Sequence, residues 1–163
     1  MPFKHAFAVV AAALLLSTSA VRAHNDAQSK PRGAAQPPVE TAFGRSAENN
    51  KVARTVTVSM NDTMRFTPAR IAVKRGDTVR FVVKNEGKTL HEMVLGTMAD
   101  LKQHAELMRK HPGMEHDEPY MAHVAPGKTE TIVWQFTKRG EYHYGCLIPG
   151  HFEAGMRGKV VVR

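Results

Sequence analysis

Four side chains that commonly bind metal ions constrain this chain most, because they come from two distant parts of the sequence. Cys146, His151 and Met156 lie within eleven residues, and His91 lies far upstream. Donor atoms on one metal ion, at bond lengths of about 2.0–2.3 Å, lie within a few ångströms of each other, whereas five residues of extended chain span about 17 Å. A shared site therefore requires a loop that folds back on itself and a fold that brings residue 91 beside it.

The residues between these side chains favour such a loop. Pro149 and Gly150 are typical of a turn after Cys146, and Gly155 permits a second tight bend before Met156. The turn residues and the metal-binding side chains thus predict the same local structure.

The donor set itself points to copper. A cysteine thiolate and two imidazoles in a trigonal plane, with a weak axial thioether, suit an ion that cycles between a soft and a harder oxidation state. A zinc site made from Cys146 and two histidines is the alternative, but it gives Met156 no role. A catalytic pair of Cys146 and His151 lacks a recognisable orienting group and oxyanion site. We therefore predict a copper site and no enzymatic activity.

The first 23 residues have the features of an export signal. Lys4 precedes an apolar stretch at 7–16, and residues 21–23 resemble a cleavage site. Residues 1–23 are therefore predicted to be a secretory signal peptide. The apolar run is shorter than the roughly 20 residues of a membrane-spanning helix, and no later segment comes close. We expect an exported, soluble protein with no membrane span.

The single cysteine is informative in an exported chain. Oxidising compartments normally contain paired cysteines, and Cys146 has no second cysteine in the sequence with which to form an intramolecular disulfide. A lone thiol there needs burial or a metal ion to avoid oxidation. An inert buried cysteine is the alternative to metal binding.

The chain after the signal peptide has room for one well-packed domain. Residues 24–51 are rich in Ala, Pro, Gln, Asn and Ser without an apolar period, which predicts a flexible N-terminal tail. Residues 52–163 contain short segments of alternating apolar and polar residues separated by turn signals, a pattern typical of a β-sandwich. Strands are predicted at 52–59, 70–73, 78–83, 91–95, 129–136, 140–145 and 157–162. Residues 99–110 have helical spacing and no Gly or Pro, which predicts a short helix.

Residues 52–163 resemble the cupredoxins of the plastocyanin and azurin family, in particular the periplasmic copper-tolerance cupredoxins. The ligand positions of that family, in the order histidine, cysteine, histidine and axial methionine, fall on His91, Cys146, His151 and Met156. The resemblance implies an all-β Greek-key sandwich, here with a short helical insertion, that holds one redox-active type 1 copper ion. It also implies that the protein works in the periplasm of a Gram-negative bacterium.

Further copper-binding side chains lie outside this set. The chain has nine methionines and nine histidines; thioethers favour Cu(I), and imidazoles accept either oxidation state. The alternative is that methionine only fills the core, because Leu101, Ala105 and Met108 share one face of the predicted helix. The candidates for additional copper are His104, His111, Met114, His116, Met121 and His123.

The resemblance leaves two functions open. The first is copper tolerance, in which the protein binds, buffers or oxidises periplasmic copper. The alternative is an electron carrier between respiratory or photosynthetic redox partners. The net charge of +8 falls to about +6 without the signal peptide, which favours an acidic redox partner or copper-donor protein. The basic residues are scattered, so we expect no nucleic-acid binding, and we expect a monomer.

Overall fold

Short strands separated by turns form the part of this protein that the structure describes. The computed structural model describes residues 37–111 and 116–163. In these residues two β-sheets and one α-helix are present. The strands are β1 (Glu40–Thr41), β2 (Gly44–Ser46), β3 (Arg54–Asn61), β4 (Arg65–Thr67), β5 (Arg70–Val73), β6 (Thr78–Asn85), β7 (His91–Gly96), β8 (Met121–Val124), β9 (Thr129–Gln135), β10 (Gly140–Gly145) and β11 (Arg157–Val162). Helix α1 (Met98–Lys110) lies between β7 and β8.

Both sheets contain parallel and antiparallel pairs. The first sheet has the strand order β1-β2-β9-β6-β3-β4, and the second has the order β5-β11-β10-β7-β8. β3 runs parallel to β6, and β5 runs parallel to β11. The predicted β-sandwich is confirmed, and each predicted strand is present within two residues of its expected ends. The sequence patterns did not indicate β4, which has only three residues, or β8, in which three of four residues are buried and do not alternate with exposed ones.

The core between the sheets is filled by side chains at alternate strand positions. In β3, Val56, Val58 and Met60 are buried, and the residues between them are more exposed. Trp134 of β9 and Tyr144 of β10 are fully buried members of the same cluster. Because both sheets contribute to this cluster, apolar burial holds them face to face.

The register of the second sheet places the metal-binding residues at one end of it. β10 and β11 form an antiparallel hairpin in which Gly145 lies opposite Arg157, so residues 146–156 form the connecting loop. β10 also pairs antiparallel with β7, where Gly145 lies opposite Val94. The start of β7, at His91, therefore lies at the same end of the sheet as the loop.

Helix α1 begins with a capping box. Thr97 Oγ1 accepts a hydrogen bond from the Asp100 N–H, and the Asp100 carboxylate accepts one from the Thr97 N–H. These bonds satisfy two amide groups that a helix start leaves without partners. Leu101 and Met108 are buried, so the helix predicted at 99–110 is confirmed with one additional residue at its start. In the described ranges we find no helix that is both long and apolar enough for a membrane crossing.

Residues 40–46 differ from the flexible tail predicted at 24–51. They contain β1 and β2, and β2 pairs with β9. Phe43 is buried between them and stacks on Trp134, with ring centroids 5.0 Å apart. Strands of two and three residues are too short to give a recognisable apolar period. The predicted tail up to residue 36 and the predicted signal peptide at 1–23 lie outside the described residues.

Phe43→Ala is expected to lower the free energy of unfolding by about 3–5 kcal/mol, the usual cost of truncating a buried phenylalanine. The substitution leaves a cavity beside Trp134, with which Phe43 stacks. Val39→Ala is the matched control, because Val39 belongs to the same segment and is 36% exposed; it should cost about 0.5 kcal/mol or less. Denaturant unfolding measures both. Equal, small effects would show that this segment does not contribute to the core.

Candidate metal centre

Three of the four predicted metal-binding side chains meet in the structure. Ligand atoms of His91, Cys146 and His151 all lie within 4.8 Å of one another. Cys146 Sγ is 3.3 Å from His151 Nδ1, and the rings of His91 and His151 have centroids 5.1 Å apart. Donors at about 2.0–2.3 Å from one ion lie up to roughly 4.5 Å apart, so these side chains are placed to share one ion.

Backbone hydrogen bonds hold the loop at 146–156 in a folded-back conformation. The Cys146 N–H donates to the Met156 carbonyl at 3.1 Å, and the Met156 N–H donates to the His151 carbonyl at 3.0 Å. Gly150 and Gly155 have φ angles of +89° and +98°, which residues with side chains rarely adopt. The loop therefore makes the two bends expected at these glycines. It brings the backbone of Met156 beside that of Cys146, and the Met156 side chain is fully buried.

The Cys146 sulfur is shielded from water. The side chain is fully buried, and burial raises the pKa of the thiol to about 12. The Glu92 N–H donates a weak hydrogen bond to Sγ at 3.5 Å. A thiolate at neutral pH needs a cation beside it here, because a buried anion without a partner is costly. A metal ion held by the two histidines fits this requirement.

The imidazole of His91 is held so that one nitrogen is left for a metal ion. Its Nε2–H donates to Asp62 Oδ1 at 3.1 Å, since an ionised carboxylate can only accept. Its Nδ1 is buried and has no hydrogen-bond partner within the described residues. A buried nitrogen without a partner costs about 1–3 kcal/mol, and coordination to a metal removes this cost. His91 therefore fits a ligand position.

Asp62 holds the His91 ring at its Nε2 atom. Its carboxylate also accepts hydrogen bonds from the N–H groups of Lys88 and Thr89. The bond from Lys88 is the main reason that the pKa of Asp62 is lowered to about 2, so the carboxylate is ionised at neutral pH. Such outer hydrogen bonds orient metal-binding histidines. Sequence reasoning does not identify Asp62, because it lies 29 residues before His91 and belongs to no motif.

Asp62→Ala is expected to lower the copper affinity of the site by about 10–100-fold, the usual effect of losing a hydrogen bond that orients a metal-binding histidine. Without the carboxylate, the His91 ring is free to rotate and to change tautomer. Asp77→Ala is the matched control, because Asp77 accepts a backbone hydrogen bond in a different turn, from Lys74. Competition with a chelator of known affinity gives both values. Equal affinities would show that Asp62 does not orient His91.

Glu92 is a second residue at this centre that the sequence analysis does not identify. Its side chain is buried, with 1% of the residue exposed. One carboxylate oxygen accepts the Leu147 N–H at 2.7 Å, and the other lies 3.0 Å from His123 Nε2. The hydrogen bond with Glu92 is the main reason that the pKa of His123 is raised. The signal that could have identified Glu92 is an acidic residue inside an apolar strand, since a buried carboxylate needs partners.

Three of the candidates for additional copper lie close to other polar groups. His104 of α1 and His116 contact each other, with their Nε2 atoms 2.9 Å apart. His123 of β8 contacts Glu92 and lies 3.6 Å from Asp117. These side chains are all partly buried.

The other three candidates are not brought to that group by the described structure. Met121 is buried in a second apolar cluster, where it packs with Val94 and Leu101. His111 is exposed and ends α1, where its N–H donates to the Leu107 carbonyl. Met114 lies outside the described residues.

Comparison with known proteins agrees with this chemistry. Residues 52–163 match a family described as copper binding proteins, plastocyanin/azurin family. The chain is 53% identical over 152 residues to the copper-resistant cuproprotein CopI of Rubrivivax gelatinosus. That alignment covers 93% of this chain and 92% of the relative. It is 36% identical over 158 residues to the copper-resistant cuproprotein CopI of Pseudomonas aeruginosa. That alignment covers 79% of this chain and 87% of the relative.

The fold is also similar to that of a solved structure, the reduced auracyanin from the photosynthetic bacterium Roseiflexus castenholzii. The TM-score is 0.59 at 20% identity, and the match covers 69% of this chain and 98% of the auracyanin chain. At this level of identity the similarity concerns the fold alone.

Proposed function

The chain belongs to the plastocyanin/azurin family of copper-binding proteins, and on this premise we propose that it is a periplasmic copper-resistance protein with one type 1 copper ion. The ligands are His91, Cys146, His151 and Met156. The observation that carries the proposal is the meeting of a fully buried sulfur with two imidazoles, one of which has a buried nitrogen without a partner.

Residues around the proposed ligands hold them in place and shield them from water, as a redox-active ion requires. A bound copper ion supplies one-electron oxidation and reduction. The sheet holds the donors in a fixed arrangement, so little rearrangement is needed between oxidation states. Asp62 fixes the His91 ring, and the burial of Cys146 and Met156 keeps water from the sulfur donors. The Glu92 N–H donates to Cys146 Sγ, and hydrogen bonds to a ligating sulfur tune the reduction potential.

Copper resistance is supported by the relatives rather than by the site alone. The same four ligands serve an electron carrier equally well, so the site does not separate the two functions. Two relatives, at 53% and 36% identity, are named copper-resistant cuproproteins. This chain matches most of the length of both, which favours a shared role.

Export to the periplasm is part of the proposal. It is supported by Lys4, the apolar stretch at 7–16 and the small residues around the expected cleavage site after Ala23. A single cysteine bound to copper is also compatible with an oxidising compartment. Fractionation of cells followed by immunoblotting tests the location. Recovery of the chain only from the cytoplasmic fraction would contradict it.

Growth of a deletion strain in graded copper tests the function. We expect the strain to be copper-sensitive, to recover with the wild-type gene, and not to recover with the Cys146→Ser variant. Normal growth in high copper would contradict copper resistance. Loss of a respiratory or photosynthetic activity at ordinary copper levels, without copper sensitivity, would identify an electron carrier instead.

Met156→Leu is expected to leave copper bound and to raise the reduction potential of the site. Leucine removes the thioether donor while filling a similar volume, and a weaker axial bond favours Cu(I) over Cu(II). Each tenfold gain in that preference raises a one-electron potential by about 59 mV. Met60→Leu is the matched control, because Met60 is also fully buried in the core and lies outside the ligand set. Voltammetry that finds equal potentials for the two variants would argue against axial ligation by Met156.

A further inference from the structure

The turn between β3 and β4 contacts two separate parts of the proposed copper site. Asp62, in this turn, binds the His91 ring at Nε2. Arg65, at the start of β4, donates two hydrogen bonds from Nη1. One goes to the Met64 carbonyl at 2.7 Å, and the other goes to the Ala154 carbonyl at 2.8 Å. A single short turn therefore contacts both the strand of the first proposed ligand and the loop that carries the other three.

The Ala154 carbonyl depends on Arg65 for its hydrogen bond. The amide groups around it bond within the loop itself. The Ala154 N–H donates to the Gly150 carbonyl at 3.1 Å. The Gly155 N–H donates to the Phe152 carbonyl at 3.0 Å. In residues 37–111 and 116–163, the Ala154 carbonyl accepts a hydrogen bond only from Arg65. Arg65 thus adds a contact that the loop does not provide for itself.

This contact lies beside the bend that leads into Met156. The bend is at Gly155, where φ is +98°, and glycine permits many conformations, so the bend has to be held from both sides. On one side the Met156 N–H donates to the His151 carbonyl at 3.0 Å. On the other side Arg65 binds the Ala154 carbonyl. The guanidinium also lies against the glycine, because a methyl group added there would be 3.1 Å from Nη1.

The turn that carries Arg65 is itself fixed. The Met64 N–H donates to the Asn61 carbonyl at 3.1 Å, and the Thr63 N–H donates to Asn61 Oδ1 at 3.0 Å. Met64 has a φ angle of +58° and is the only non-glycine residue with positive φ in the described part of the chain. Hairpin turns usually have glycine at such a position, but the Met64 side chain packs against the core, which a glycine does not do. Arg65 therefore extends from a turn that is attached to the core.

The alternative is that Arg65 is an ordinary exposed cation. An exposed arginine that only faces solvent or a carboxylate contributes little to structure. Both hydrogen-bond acceptors of Arg65 among the described residues are instead backbone carbonyls, and such bonds fix the position of the chain. Arg54, at the opposite end of β3, makes the same kind of bond to the Ala72 carbonyl. It is far from the proposed ligands and therefore provides a matched control.

We propose that Arg65 is a positioning residue of the copper site, which sets the axial interaction of Met156 with the ion. It does so by holding the Ala154 carbonyl and thereby the bend at Gly155. The inference rests on the proposed function, because it concerns the same ligand set. The axial thioether bond is long and weak, and it tunes the reduction potential. The net effect of one hydrogen bond corresponds to up to about tenfold in an equilibrium constant, which limits the expected shift in preference between Cu(I) and Cu(II).

Arg65→Met removes both hydrogen bonds and keeps an unbranched side chain. Release of the bend weakens the axial bond and favours Cu(I), so the reduction potential should rise by up to about 59 mV, the equivalent of a tenfold change. Loss of the positive charge alone acts in the opposite direction, because a nearby cation disfavours the more highly charged Cu(II). Arg54→Met removes the same charge and the same kind of bond and should leave the potential unchanged. Voltammetry of the copper-loaded variants measures these values.

A combined variant tests whether Arg65 acts through Met156. In the Met156→Leu background the axial thioether is already absent, so Arg65→Met should not raise the potential further. An equal rise in both backgrounds would overturn the inference. An unchanged or lowered potential in the single Arg65→Met variant would overturn it as well.

Hydrogen exchange in the copper-free protein tests the holding role without the metal ion. The Met156 amide donates to the His151 carbonyl and should exchange up to about tenfold faster in Arg65→Met than in the wild type or in Arg54→Met. Nuclear magnetic resonance measures these rates, and equal rates would overturn the role of Arg65. Absence of an intense visible band from the copper-loaded wild type would instead contradict the type 1 site and the function proposed from it, with the difference in exchange still present.

Discussion

Replacing Cys146 with serine is expected to abolish the intense visible absorption of the copper-loaded protein. The thiolate is the electron donor in the charge-transfer transition, and a serine oxygen does not replace it. Copper affinity at this site should fall by more than the roughly 10–100-fold that loss of an outer hydrogen bond causes. Absorption spectra and chelator competition on the same samples measure both quantities.

Ala122→Ser is the matched control for this substitution. Ala122 is buried in the same core cluster as Cys146, so both variants place a hydroxyl group in the core, but only one removes a sulfur. The Ala122 variant should keep the visible band. Persistence of the band in the Cys146 variant would exclude the cysteine as a ligand.

Removal of copper is expected to lower the stability of the protein strongly. A ligand that binds only the folded state at a free concentration 1,000 times its dissociation constant stabilises that state by about 4.1 kcal/mol. For a domain of this size, such a change corresponds to a shift of the unfolding temperature on the order of 10 °C. The effect arises because the ion connects His91, at the start of β7, to the loop at 146–156, so unfolding must break both attachments.

Calorimetry of the copper-loaded and copper-free protein measures this shift. The Cys146→Ser variant is the reference, since any stabilisation that it keeps comes from copper bound elsewhere on the chain. A shift of equal size in the variant and the wild type would show that the site at Cys146 does not contribute to stability.

The sequence predicts most of the sandwich because its longer strands alternate clearly between buried and exposed residues. β11 has the predicted bounds for this reason, with buried residues at every second position. The meeting of His91 with the loop at 146–156 is also predictable, because the donor types are rare in combination and the loop carries its own turn residues. Phe43 is not predictable in this way, because the strands beside it are too short to show a period.

Residues that act through hydrogen bonds are harder to find. Asp62 reaches His91 across 29 residues, and Glu92 reaches Leu147 across 55. These partners depend on sheet register and on the bend of the loop, neither of which leaves a motif in the sequence.

The position of β11 determines when the copper site can form during folding. β11 follows the loop at 146–156 in the chain, yet it lies between β5 and β10 inside the second sheet. Its pairing of Arg157 with Gly145 holds the two ends of the loop together, and this pairing requires β11 to insert between β5 and β10. Long-range pairings of this kind form slowly. We therefore expect the complete site to form late in folding, once β11 has paired with both β5 and β10.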